Sequence, residues 1–286
     1  MAKASASATV LEFDTDAIRA REKEVARETD DSIIERLRER FQILNDMTLA
    51  VKQGDVRAMI VSGPPGVGKS FGVEAVLQKS DLFNTLAERK PKYEIVKGAM
   101  SALGLYAKLY EFAAEGNVLV FDDCDSILME DLSLNILKGA LDSSKKRYIA
   151  WNTDSRLLRS EGIPDRFEFK GAAIFITNIK FEHVKSKRLR DHLDALESRC
   201  HYIDLQMDTT REKILRIRQI VGDGMLDEYD FLEPQVAKAE VVDFILNNAD
   251  SLRELSLRMV LKIADLRKSF PANWQAMART TCMKRK

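Results

Sequence analysis

Gly63-Pro64-Pro65-Gly66-Val67-Gly68-Lys69-Ser70 matches Gly-x-x-x-x-Gly-Lys-[Ser/Thr] at every position. Glycines at this spacing let a backbone curl until its N–H groups converge on phosphate oxygens at a helix N-terminus. Lys69 is then placed to reach the β- and γ-phosphates, and the Ser70 hydroxyl to enter a Mg²⁺ shell. The nucleotide-binding run is therefore Gly63, Pro64, Pro65, Gly66, Val67, Gly68, Lys69, Ser70 and the next residue, Phe71. A second chemical signal is Val118-Leu119-Val120-Phe121-Asp122-Asp123, four apolar residues running into two carboxylates. Asp122 in this position would hold Mg²⁺, and Asp123 would orient or deprotonate an attacking water.

Both signals need a scaffold that brings them together. The apolar run Ala58–Val61 precedes the glycine-rich segment, and a helical pattern follows it near Lys69–Lys79. Strands are expected at Arg57–Ser62, Lys92–Lys97, Asn117–Phe121, Ala172–Thr177 and His201–Leu205. Helices are expected between them, near Ser101–Ala114, Glu130–Leu141 and Arg190–Glu197. Continuously apolar strands alternating with helices predict a parallel five-stranded sheet covered on both faces, the α/β class, with the carboxylates delivered to its C-terminal edge. Upstream, Ile33, Ile34, Leu37, Phe41 and Leu44 recur at helical spacing.

The pattern changes near residue 207. Thr209 and Glu212 form a capping box that opens a helix running to Val221, where Gly222 stops it. Helical patterns follow at Ala237–Asn247, Ser251–Lys268 and Ala272–Thr281 without a strand signal. The expected organisation is a flexible tail over residues 1–28, an α/β domain over 29–206 and a helical lid over 207–286. Arg147–Trp151 and Arg166–Lys170 interrupt the alternation and read as a surface hairpin around Gly162 and Pro164.

Composition narrows the classes. The 286 residues carry 45 Lys plus Arg against 45 Asp plus Glu, so no charge coat for nucleic acid exists, although a local basic stripe leaves no trace in such a sum. Cys124, Cys200 and Cys282 are far apart, which speaks against a disulfide framework or a metal cluster and for a reducing compartment. No apolar run approaches the roughly 20 residues of a bilayer span. Met1–Val10 lacks the hydrophobic stretch of a secretory signal, so a cytoplasmic location and no membrane partner are expected.

With both motifs in place, residues 30 to 270 resemble the AAA+ ATPase superfamily, closest in flavour to its clamp-loader and initiator branch. Ser198-Arg199-Cys200 resembles the Ser-Arg-Cys motif of clamp-loader subunits, which implies that Arg199 enters the ATP site of a neighbouring subunit. Thr177-Asn178 resembles sensor 1, which implies that Asn178 lies between the carboxylates and the γ-phosphate. Ser251-Leu252-Arg253-Glu254-Leu255 resembles the sensor 2 helix, which implies a lid arginine at Arg253, with Arg258 as its competitor. Two features depart from the pattern. The acidic pair is Asp-Asp where the family has Asp-Glu, so the base is one methylene shorter and hydrolysis is expected to be slow, or helped by Asp125. Little chain follows the helical lid, so the collar of a clamp loader proper is not expected.

The resemblance implies ATP and Mg²⁺ as cofactors and a homo-oligomer, ring or spiral, as the working form. Three engines stay open. A DNA-associated ATPase is favoured by Ser-Arg-Cys and by Trp151, Arg156, Arg159, Arg166 and Lys170 of the hairpin; the basic end, Lys284-Arg285-Lys286, is too short to add weight. A protein-remodelling ATPase would use Gly104-Leu105-Tyr106 as a pore loop, although Tyr106 and Tyr110 at helical spacing read equally as packing residues. A slow nucleotide-gated switch is favoured by the Asp-Asp pair.

Overall fold

The structure is a computed structural model that describes Val25 and residues 27–153, 155–181 and 184–284. The expected tail over 1–28 lies almost wholly outside the described residues, as do the last two residues of the basic end. The described chain falls into two compact units, taken in turn here.

The first unit comprises Gln42–Gly63 and Lys69–Leu205. Helix α1 (Asp30–Gln53) enters it with its C-terminal part, and β1 (Ala58–Ser62) follows. Then come α2 (Lys69–Ser80), α3 (Leu82–Leu86), β2 (Tyr93–Lys97), α4 (Ala102–Glu111) and β3 (Val118–Asp122). After α5 (Asp125–Leu128) and α6 (Asp131–Ala140), a side hairpin pairs β4 (Tyr148–Ala150) antiparallel with β5 (Arg166–Glu168) around the short helix α7 (Arg156–Ser160). Strand β6 (Ala172–Thr177), α8 (Lys187–Glu197) and β7 (His201–Asp204) complete the unit.

All five main strands run parallel in the order β2-β3-β6-β1-β7. The three inner strands are buried at every residue, as a sheet covered on both faces requires, while the edge strands β2 and β7 are only partly buried. Phe121 and Phe175 stack at 5.3 Å between neighbouring strands, and Leu105, Leu109, Leu134 and Leu137 from α4 and α6 pack into the same core. Strand and helix positions agree with the sequence expectation to within a few residues. The hairpin loop is more ordered than expected: Ser155 caps α7, and Leu158 is buried. Arg147, itself buried, donates to the carbonyls of Ala140 and Gly171 and anchors the hairpin's base.

The second unit comprises the described residues before Gln42, the loop Pro64–Gly68 and everything from Gln206 onward. It is helical: α9 (Thr210–Gly222), α10 (Pro234–Asn247), α11 (Leu257–Ser269) and α12 (Trp274–Cys282). The capping box that opens α9 is formed as expected, with Glu212 fully buried and paired to Arg36 of α1 at 3.1 Å. Pro234 occupies the first turn of α10, where no N–H is needed. One boundary differs. The helix expected over Ser251–Lys268 begins at Leu257, because Ser256 turns extended and its hydroxyl caps the Met259 N–H. Leu252 instead bridges to Met283, so Arg253 lies outside the helix.

Candidate nucleotide site

Parallel register brings the candidate residues of the first unit together. Ser62 lies beside Thr177, and Asp122 beside Ile176, so the ends of β1, β3 and β6 form one edge. The residues immediately after these ends are Gly63, Asp123 and Asn178. Gly63 is required by close approach, since a Cβ there would lie 3.0 Å from the Leu205 carbonyl oxygen. Lys69, buried at the start of α2, donates to the Gly63 carbonyl at 2.6 Å and to Asn178 Oδ1 at 2.8 Å. Asn178 Nδ2 donates in turn to Asp123 Oδ1 at 2.8 Å, so one amide bridges the phosphate-loop lysine and the acidic pair. The Ser70 hydroxyl donates to Asp122 Oδ1 at 2.8 Å, and Lys97 Nζ lies 3.5 Å from Asp122 Oδ2.

Asp123 has φ 53°, in the left-handed region that a residue with a Cβ enters at a cost. Its N–H is fixed to the Ile176 carbonyl, and the turn aims its carboxylate at Asn178. Asp125 is engaged by the residue that precedes Asn178. It accepts from the Thr177 hydroxyl at 2.8 Å, and that oxygen accepts the Ile179 N–H, which locks the turn carrying Asn178. Burial, with the Asp123 charge adding to it, pushes the Asp125 carboxyl above its ordinary value despite the Thr177 bond. Lys97 as a support of the site carries no signal in the sequence, whereas Thr177 and Asp125 stand out beside Asn178 and the acidic pair.

Ser70 and Asp122 present hard oxygen donors in mutual contact, a fit for Mg²⁺, which takes one or two protein oxygens and completes its shell with phosphates and water. No three His, Cys, Asp or Glu side chains gather as a metal cage among the described residues.

In the second unit, the phosphate loop packs against the start of α11. Gly66 has φ 72°, a Cβ there would lie 2.8 Å from the Ser256 Cβ, and its carbonyl accepts the Leu257 N–H at 2.8 Å. Pro65 is exposed and Val67 buried, while Phe71, back in the first unit, is 78% exposed. Of the two candidate arginines, Arg258 lies on α11 with its Cγ 3.6 Å from the position of a Gly66 Cβ. Arg253 donates through Nε to the Met283 carbonyl and precedes α11.

Arg199 is placed elsewhere. It precedes β7, whose His201 pairs with Met59 near the start of β1, and so stands at the N-terminal edge of the sheet. Four to five residues of strand, roughly 15 Å, separate that edge from the carboxylates. Its Nη1 bonds the Ala195 carbonyl, its Nε is buried without a partner, and it lines a cleft of ≈ 370 Å³ with Arg57, Leu141, Ser143 and Ser198. Tyr106 is fully buried in α4, with its hydroxyl on the Pro164 carbonyl and Trp151 and Phe167 against its ring, so it is a packing residue and not a pore-loop tip.

No helix among the described residues is long and apolar enough to cross a membrane. No protein-family model matches the chain. Solved structures similar to it include NtrX from Brucella abortus in complex with ATP (12% identity, TM-score 0.43, covering 93% of this chain and 58% of that one). Domain III of the replication initiation protein DnaA from Thermotoga maritima is 13% identical with a TM-score of 0.46, over 85% and 92% of the two chains. The ORC2 protein of Aeropyrum pernix is 14% identical with a TM-score of 0.45, over 84% and 66%. The chain thus spans less than two thirds of the NtrX and ORC2 chains. In sequence it is 31% identical over 258 residues to an uncharacterized 36.7 kDa protein in the nrdC-mobD intergenic region of Enterobacteria phage T4, covering 89% of this chain and 77% of that protein. At that identity over that span, the chain belongs to the same protein family as the phage T4 protein.

Proposed function

We propose that this protein is a Mg²⁺-dependent ATPase of the AAA+ type that works as a homo-oligomer on DNA in the cytoplasm. The observation that carries the reading is the chain of contacts from Lys69 through Asn178 to Asp123, beside the Ser70–Asp122 pair. Lys69 and the loop N–H groups bind the phosphates. Ser70 and Asp122 would hold Mg²⁺, which would supply charge neutralisation to the phosphates when bound. Asp123 takes the proton of the attacking water, and Asn178 orients that water between Asp123 and the γ-phosphate. Arg258 is the better supported of the two sensor 2 candidates, since it neighbours Gly66 of the loop while Arg253 is tied to Met283.

The position of Arg199 on the opposite sheet edge supports action in trans: it stands far from the carboxylates of its own sheet, and a neighbour's site is where its charge would be used. DNA is favoured by the hairpin, where Arg156, Arg159, Arg166 and Lys170 are exposed and Arg166 stacks 4.5 Å over the exposed ring of Tyr148. A slow switch is the second reading, favoured by the short Asp123 side chain and its engagement by Asn178.

Steady-state ATP turnover against protein concentration, with and without single- and double-stranded DNA, tests the proposal. Turnover per subunit that rises with concentration and is stimulated by DNA is expected. Turnover indifferent to DNA would transfer the reading to protein remodelling, and binding without measurable turnover would transfer it to the switch.

A further inference from the structure

Arg216 of α9 is 6% exposed, yet no carboxylate among the described residues pairs with it. Its guanidinium carbon lies 3.5 Å from the centroid of the Phe41 ring. Nη1 donates to the Gln219 side-chain carbonyl at 2.9 Å, while Nε is buried with no hydrogen-bond partner at all. Burial pushes its pKa down to about 10, with the Asp223 charge opposing, so the group stays charged at neutral pH. A buried cation held by one amide and one ring face is a costly arrangement, because desolvation is not repaid by an opposite charge. Cation–π contact offsets part of that cost. What remains is an unfilled demand for an anion.

The direction of that demand is set by the second unit itself. Nη2 of Arg216 lies 3.9 Å from where a Cβ of Gly68 would be, and the Phe41 ring lies 3.8 Å from the same point. Gly68 has φ 104° and closes the phosphate loop immediately before Lys69. A buried cation with no carboxylate partner among the described residues thus faces the segment whose N–H groups are built for phosphate. We propose that Arg216, stacked on Phe41, is a phosphate-binding residue, supplying a buried positive charge to the polyphosphate of a nucleotide held by the loop Pro64–Gly68. This rests on the nucleotide reading above and adds to it a residue from α9, distinct from Arg253 and Arg258. Phe41 is a positioning residue here: its ring fixes the plane of the guanidinium so that the fork is presented without a search through rotamers.

The test measures binding of ATP and of adenosine to the full chain and to Arg216→Met, together with thermal unfolding in the absence of nucleotide. The expected result is a loss of ATP affinity of about 10- to 100-fold, the range of a charge-assisted hydrogen bond, with adenosine affinity unchanged. Nucleotide-free Arg216→Met should melt at or above the wild-type temperature, since a buried unpaired charge has been removed. Unchanged ATP affinity overturns the proposal, and an equal loss for ATP and adenosine overturns it in favour of a base contact. If Arg216→Met does not fold, Arg216→Gln carries the same comparison of ATP with adenosine. Wild-type protein that binds no ATP would sink the ATPase reading itself, whereas wild-type binding with a variant that binds equally well sinks only the role of Arg216.

Discussion

Asp123 is a carboxylate held in a conformation that favours glycine, and the turn that imposes it is fixed by the Ile176 carbonyl. Strain of this kind costs of order 1–3 kcal/mol and persists where the surroundings over-determine it. Replacing the residue with glycine relieves it and also removes a negative charge beside Asp122 and Asp125. Asp123→Gly should therefore unfold at an equal or higher free energy, by about 1 kcal/mol, while ATP turnover falls by about 10²- to 10⁴-fold; urea unfolding and steady-state turnover check the two halves. Asn178→Ala separates binding from chemistry. Its amide touches both Lys69 and Asp123, so ATP affinity should change only severalfold while single-turnover hydrolysis drops by about 10²-fold or more. An affinity loss matching the rate loss would mean that Asn178 only props up Lys69. Lys69, Ser70, Asp122, Asp123 and Asn178 were legible in the sequence because each sits within a motif or at the end of an unbroken apolar run. Arg216 was not, because its partners Phe41 and Gly68 lie 175 and 148 residues away (216 − 41 and 216 − 68) and an isolated helix arginine reads as solvated.

The elements that deliver these residues were legible where a single period governs them. Buried parallel strands read as continuous apolar runs, and the Thr209–Glu212 capping box fixed the start of α9 to the residue. The start of α11 was missed for a physical reason. Leu252 and Leu255 continue the apolar spacing backward from the helix, but Ser256 caps it, and the Leu252–Met283 bridge draws the preceding residues into an extended path. That boundary bears on the two candidate arginines, since Arg258 lies on α11 and Arg253 precedes it. A buried ion pair, Lys52–Asp81, lies elsewhere in the scaffold. Burial alone would raise the pKa of Asp81, but hydrogen bonds from Asn84, Lys52 and the Lys92 N–H outweigh it and hold the carboxyl below its ordinary value. A folded pKa lower than the unfolded one gives stability that is complete above the unfolded value of 3.8 and is lost as pH falls through the folded value. Asp81→Asn should cost about 2 kcal/mol at pH 7, and much of that difference from wild type should vanish near pH 2. Urea unfolding at both pH values checks this, and an undiminished difference in acid would contradict it.

At the scale of the molecule, the proposed function uses both edges of the sheet. Its C-terminal edge gathers Gly63, Lys69, Asp122, Asp123 and Asn178, and its N-terminal edge carries Arg199 beside Arg57. On the proposed reading, a subunit built this way would complete a neighbour's site and not its own. The exposed hairpin residues Arg156, Arg159, Arg166 and Lys170 leave no trace in a total charge of zero, because a sum over the chain erases where charges lie. The shared site is the central claim, and complementation tests it most directly. Lys69→Ala and Arg199→Ala should each be inactive alone, the first for want of nucleotide binding and the second for want of the trans arginine. Mixed in equal amounts, they form junctions in which an intact phosphate loop of the Arg199→Ala chain meets an intact Arg199 of the Lys69→Ala chain. The account predicts that ATP turnover reappears on mixing and rises with total protein concentration. A mixture as silent as its components, or an Arg199→Ala protein that hydrolyses ATP normally by itself, would contradict it.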